Sequence, residues 1–177
     1  MEKVALVVRM AVEEDIPQIQ QVSKEAFSMY AEGAGIAAIV GELEESFADL
    51  KAELQGKLVF VAEMEGMIVG CVRVEVKEDG TAYLSRFGVK SDFQNKGIGQ
   101  QLMNAVDKAM EESRVSTLYL HTASRMLSLV RFYYGRGFYI ESTTKSRGYI
   151  RALLCKEYRT EKIYGFLNAE CESFAIV

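Results

Sequence analysis

One stretch, Tyr83 to Met110, constrains this chain more than any other. It reads as a strand over Tyr83–Val89, a short connection over Lys90–Phe93, the small-residue turn Gln94-Asn95-Lys96-Gly97-Ile98-Gly99, and then a helix. Ile98, Leu102, Ala105, Val106, Ala109 and Met110 recur at helical spacing, with Gln100, Gln101, Asn104, Asp107 and Lys108 between them. A helix start leaves backbone N–H groups without partners, and the macrodipole adds partial positive charge there. Gly97 and Gly99 keep side chains out of the way, so this corner is expected to hold the phosphates of a cofactor.

Several readings compete for such a turn. A Walker loop requires GxxxxGK[ST], which the chain lacks. A dinucleotide fingerprint requires a third glycine where Leu102 stands, and no βα half precedes the turn. A third pattern, [QR]-x-x-G-x-[GA], fits Gln94 to Gly99, and a tight turn without ligand is the bland alternative.

The remaining elements narrow the choice. Val4–Val8 forms a β-type run that continues toward Met10, and Asp15 caps a helix with Pro17 in its first turn, ending near Tyr30. Ala31–Gly35 reads as a break, and a second helix covers much of Ile36–Leu54, with Glu42, Glu44 and Glu45 on a solvated face. Strands over Leu58–Met64 and Met67–Lys77 are joined by the Glu65-Gly66 turn. Val72, Val74 and Val76 alternate with the more polar face of Arg73, Glu75 and Lys77. Asp79-Gly80 turns into the Tyr83 strand. Beyond the glycine-turn helix come a strand over Thr117–Thr122, a helix over Arg125–Tyr134, a strand over Phe138–Ser142, a polar loop over Thr143–Arg147 and a strand over Gly148–Tyr158. The order β-α-α-β-β-β-α-β-α-β-β is neither regular βαβ alternation nor all-β. The expected class is α+β with a mixed, mostly antiparallel sheet.

At 177 residues, with one proline and no Gly/Ser-rich run, the chain reads as one domain with a sizeable core. Its net charge of −4 argues against a nucleic-acid partner and is compatible with a cationic amine. Cys71, Cys155 and Cys171 are odd in number and widely spaced, the pattern of reduced thiols rather than of a disulfide framework or a zinc site. No apolar run approaches a membrane span and no signal-peptide pattern opens the chain, so a cytoplasmic protein without a membrane partner is expected.

From about Val7 to Tyr158 the chain resembles the GNAT superfamily of N-acetyltransferases. Three places carry the resemblance in order: Leu84-Ser85-Arg86-Phe87-Gly88-Val89, Gln94 to Gly99, and Phe132-Tyr133-Tyr134-Gly135-Arg136-Gly137-Phe138, which matches the family's FY-x-x-x-GF run. The resemblance implies a twisted sheet flanked by helices with a splayed central strand pair. It also implies a catalytic domain over residues 1–159; residues 160–177 lie outside the resemblance as an extension of unassigned role, whose apolar residues among acids suit docking on its own subunit or a neighbour. Acetyl-CoA is the implied cofactor, and the acceptor is a primary amine of a small molecule or peptide. The acetyl group would pass directly between them in a ternary complex. A homodimer is implied too, and no metal. A non-catalytic sensor or regulatory module that binds acyl-CoA is the alternative reading, and an interaction scaffold without the cofactor is another.

The same resemblance assigns residues. The backbone at Phe87, Gly88 and Val89 would contact the pantetheine arm, with a bulge expected at Gly88. The N–H groups of Asn95, Lys96, Gly97, Ile98, Gly99 and Gln100, with Gln94 at the loop's head, would face the pyrophosphate. Tyr133 takes the family's tyrosine position and would protonate the departing thiolate. Met126 stands where many members carry asparagine. Glu75 is a candidate for the base that deprotonates the amine, with an exposed partner for a basic residue as its plainer reading. His121, the single histidine, reads as a satisfied structural residue.

Overall fold

The structure is a computed structural model, and it describes residues 5–36, 45–146 and 148–158. The elements run β1 (Leu6–Met10), α1 (Ile16–Ala34), α2 (Phe47–Gly56), β2 (Leu58–Met64), β3 (Met67–Val76), β4 (Thr81–Val89), α3 (Ile98–Glu112), β5 (Thr117–Ala123), α4 (Leu127–Tyr134), β6 (Tyr139–Ser146) and β7 (Tyr149–Glu157). The strands make one sheet in the order β1-β2-β3-β4-β5-β7-β6. Only β4 with β5 is parallel; the other neighbours are antiparallel. The mixed α+β sheet expected from the element order is therefore the one that forms.

Two cores lie on its two faces. On one, Ile98, Leu102, Met103, Val106 and Met110 of α3 pack against Phe60, Ala62, Val72, Val74, Ala82, Leu84, Leu118 and Leu120. On the other, Ile16, Ile19 and Val22 of α1 and Leu50 of α2 cover Val59, Val61, Ile68 and Cys71. Strand alternation sends successive residues of β2 and β3 to opposite cores. The polar face expected on β3 is thus roofed at Arg73 and open at Glu75. The Cys71 and Cys155 thiols are free and buried.

The structure corrects three boundaries. Helix α1 does not break at Ala31 but runs to Ala34, because Ala31 and Ala34 favour helix and Gly33 receives the thioether of Met126. It stops at Gly35, which takes φ 72° while its N–H and that of Ile36 bond back to Glu32 and Ala31. Glu45 precedes α2 rather than lying on a solvated helix face, and residues 37–44, including Glu42 and Glu44, are outside the described residues. Finally, Thr143–Ser146 is strand, not loop: β6 is an edge strand paired to β7 from Ile140 through Ser146, so polarity on its exposed sides disguised it. Residues 160–177, read as an extension, also lie outside the described residues.

Candidate active site

Strands β4 and β5 start together and separate. Their parallel pairing covers Thr81–Tyr83 against Thr117–Tyr119 and no further residue. From Leu84 to Val89, β4 has no ladder partner on that side among the described residues. A bulge helps to turn it away: β3 pairs through Cys71↔Gly88 and Arg73↔Ser85, so Arg86 and Phe87 stand opposite the single Val72. Arg86 carries the strain at φ 51°. The bulge is therefore at Arg86, not at Gly88. Gly88 is needed for another reason, since a Cβ there would lie 2.5 Å from the Ala26 Cβ, where α1 crosses β4.

The glycine turn follows. The Gln94 side-chain amide donates to the Val89 carbonyl (3.2 Å), which ties the turn to the end of β4. Asn95 (φ 59°) and Gly97 (φ 80°) are left-handed, the kind of backbone that aims successive N–H groups into one concavity. Gln101 donates to the Gly97 carbonyl, while the N–H groups of Ile98, Gly99 and Gln100 precede any intrahelical acceptor and receive no side-chain cap. The Lys96 ammonium lies 5.0 Å from the Phe93 ring centroid. Ile98 points into the core. Gly99 has a second duty, because a Cβ there would meet the Phe87 ring at 3.1 Å.

That ring leads to Tyr133. Phe87 stacks on Phe132 (5.7 Å between centroids), and Tyr133 packs edge-on against Phe132 and Phe138 (5.4 Å each) and tilts toward Phe87 (6.2 Å). Tyr133 is 4 % exposed, whereas the next tyrosine, Tyr134, is 50 % exposed and takes the Ile140 N–H on its hydroxyl at 3.3 Å. Burial pushes the Tyr133 phenol well above its ordinary range, and the nearby Tyr30 phenol pushes it the same way. Its hydroxyl bonds to no described residue.

Tyr30 is a site residue that the sequence reading missed. It reaches from α1 to the end of β5, where its hydroxyl accepts the Ala123 N–H at 2.7 Å. Burial, then the neighbouring Tyr149, raises it to about 12. The signal was present in its place near the end of a helix that was read as stopping there. Thr122, one residue earlier, places its buried side chain beside the Tyr30 hydroxyl.

Beneath the bulge lies an ionic knot. Arg73, 1 % exposed, donates from both terminal nitrogens to the Glu45 carboxylate at 2.7 Å, and Arg86 Nε stands 3.2 Å from the same group. Burial alone would raise the Glu45 carboxyl, but Arg73 and Arg86 outweigh it and hold the group below its usual range. Glu75 lies out of this knot, exposed, with Lys57 Nζ at 3.8 Å. His121 shares a 2.8 Å hydrogen bond with the Tyr83 hydroxyl, across the rung next to the split.

The gathered parts suit a long, partly peptidic ligand that ends in phosphates. An unpaired strand edge offers backbone groups to amides, and the bare helix start offers N–H donors. Phe87, Gly88, Val89, residues 94–100 and Tyr133 thus converge, while Glu75 stays apart. Among the described residues no group of His, Cys, Asp and Glu could hold a metal ion.

The acetyltransferase (GNAT) family model matches residues 18–138, and the chain belongs to that family. It is an acyltransferase, and acetyl-CoA is its group donor. No curated protein sequence matches. Solved structures do. The PaiA N-acetyltransferase from Thermoplasma acidophilum, in complex with coenzyme A, is similar at 21 % identity and a TM-score of 0.75, over 87 % of this chain and 99 % of that one. A ribosomal-protein-alanine N-acetyltransferase from Brucella melitensis is similar at 21 % and 0.70, over 86 % and 99 %. YncA from Salmonella typhimurium, a putative acetyltransferase with acetyl-CoA, is similar at 16 % and 0.71, over 86 % and 94 %. At these identities the likeness concerns the fold.

Proposed function

We propose that the chain transfers an acetyl group from acetyl-CoA directly to a primary amine of a small molecule or peptide, both bound at once. The observation that supports this most is the short β4/β5 ladder, which ends at Tyr83 and leaves an unpaired edge between the bare start of α3 and the buried Tyr133. Bound acetyl-CoA supplies a thioester, whose acyl carbon gains a bond to the amine nitrogen as its bond to sulfur breaks.

The chain's own residues do four things. The N–H groups of residues 95–100 hold the diphosphate, with Lys96 adding charge. The free edge of β4 at Phe87, Gly88 and Val89 aligns the arm beside it as an extra strand would. Backbone N–H groups of the same strand polarise the carbonyl. The Tyr133 hydroxyl gives its proton to the departing sulfur and is replenished from solvent, while the amine loses one proton on the other side. Its raised pKa keeps Tyr133 protonated throughout the physiological range, the form a donor requires.

Calorimetry with acetyl-CoA, followed by thiol release against a panel of primary amines, tests the reading. Binding plus amine-dependent release is expected. Absence of binding overturns it, as does release that no amine stimulates.

A further inference from the structure

We propose that Arg151 binds a carboxylate on the acceptor, so that the substrate is an amine that also carries a carboxylate. This rests on the acetyl-transfer reading above.

An arginine removed from water normally finds an anion or an aromatic face, because its charge is otherwise left poorly solvated. The chain follows that rule at four positions. Arg9 meets Asp15 at 2.7 Å and Glu63 at 2.8 Å. Arg73 and Arg86 share Glu45, and Arg136 meets Asp107 at 3.0 Å. Arg151 breaks it. The residue is half-buried and its Nε is out of solvent with no acceptor, as are those of Arg73 and Arg136, but unlike them it makes no ion pair or ring contact with any described residue.

Its place says what it waits for. Ala152 and Leu154 belong to the core under α3, so alternation puts Arg151 on the opposite face of β7. Its register partners are Ala123 on β5 and Thr144 on β6. Ala123 is the residue that Tyr30 caps, at the end of the strand that has parted from β4. Tyr149, two positions before Arg151 on the same face of β7, neighbours Tyr30, and Tyr30 neighbours Tyr133, so Arg151 stands near the end of the sheet where thioester and amine would meet. Glu45 is already committed to two arginines and does not compete. A carboxylate can take Nε and one terminal nitrogen of the guanidinium as a fork. A dianionic phosphate would call for a second cation, and Ala123, Thr144, Tyr149 and Leu153 around Arg151 provide none.

The test uses matched acceptors: L-phenylalanine, L-phenylalaninamide and phenethylamine, the same comparison for L-glutamate and L-alanine, and phosphoethanolamine and spermidine as the other charge classes. Thiol release is expected to favour the carboxylate member of each pair by about 10- to 100-fold in kcat/KM, the worth of a charge-assisted hydrogen bond. Arg151→Gln should remove that preference through KM and leave the amide and the acetyl-CoA KM unchanged, with partial recovery in Arg151→Lys. Should the variants not fold, competitive inhibition of the wild type by N-acetyl-L-phenylalanine but not by its amide reads the same contact. Equal use of acid and amide, preference for phosphoethanolamine or spermidine, or an equal loss for all acceptors in Arg151→Gln overturns the proposal. Acetyl-CoA binding is measured separately by calorimetry, so a failure of the acetyl-transfer reading shows there instead.

Discussion

Tyr133 and Arg73 are both removed from water, on opposite faces of the same sheet, and the protein handles them in opposite ways. Tyr133 is walled by Phe87, Phe132 and Phe138 with no described hydrogen-bond partner, so burial holds it neutral. Arg73 is gripped by a carboxylate at two points and stays charged. A buried charge whose partner is committed is architecture; in the proposed mechanism, a buried hydroxyl left with a hydrogen to give is a tool. The two regions should therefore fail differently when disturbed.

The largest effect is expected at the tool. Tyr133→Phe should lower kcat by about 100- to 10,000-fold, the usual worth of a general acid, while acetyl-CoA affinity by calorimetry and the urea midpoint stay put. A loss of stability instead would move Tyr133 into the architectural class. Glu45→Ala is the converse experiment. Leaving the buried Arg73 with only the Glu53 carboxylate, 3.7 Å from its Nη1, should cost about 3 kcal/mol in urea unfolding, with turnover reduced only in step with the folded fraction.

The pH dependence follows from the same ion pair. The Glu45 carboxyl is depressed in the folded chain, so its contribution is complete above the unfolded value of about 4.3 and vanishes as pH falls through the folded one. Glu45→Ala should flatten acid unfolding below about pH 5. A residual slope should persist, because the Arg9 hydrogen bond depresses Asp15 against the opposing effect of burial.

Two glycines sharpen the contrast at smaller scale. Gly88→Ala drives a methyl to 2.5 Å from Ala26 on the architectural side and should cost about 2 kcal/mol, partly recovered by adding Ala26→Gly. Gly97→Ala strains a φ of 80° in the loop, costs about 1 kcal/mol, and should show chiefly as weaker acetyl-CoA binding. If Gly88→Ala abolished acetyl-CoA binding and left stability intact, the division between the two faces would be wrong.

Much of this was legible in the residues. The glycine turn, the helix behind it and the FY-x-x-x-GF run are local patterns, written by turn chemistry and helical spacing. The misreadings came from non-local facts. Arg73 was read only as part of a more polar face, because alternation cannot say that Glu45, 28 positions earlier in the chain, will cover it. The bulge was expected at Gly88, the residue best able to bend; it sits at Arg86, because Gly88 is occupied with admitting α1. Polar Thr143–Ser146 looked like loop because an edge strand needs no apolar face. Tyr30 was missed because its place near a helix end does not reveal its partner, the Ala123 N–H, which belongs to a strand 93 residues away.

The sequence by itself determined the element order, the bare start of α3, the aromatic run that places Tyr133, and the family. Those depend on contacts within a few residues, whose geometry spacing dictates. Only the tertiary structure decided that β4 and β5 part after Tyr83, that Glu45 closes over Arg73, and that Arg151 is left without an anion. Each of those turns on which side chains meet across distant segments, where the cost of an unpaired charge or hydroxyl depends on packing that no local pattern contains.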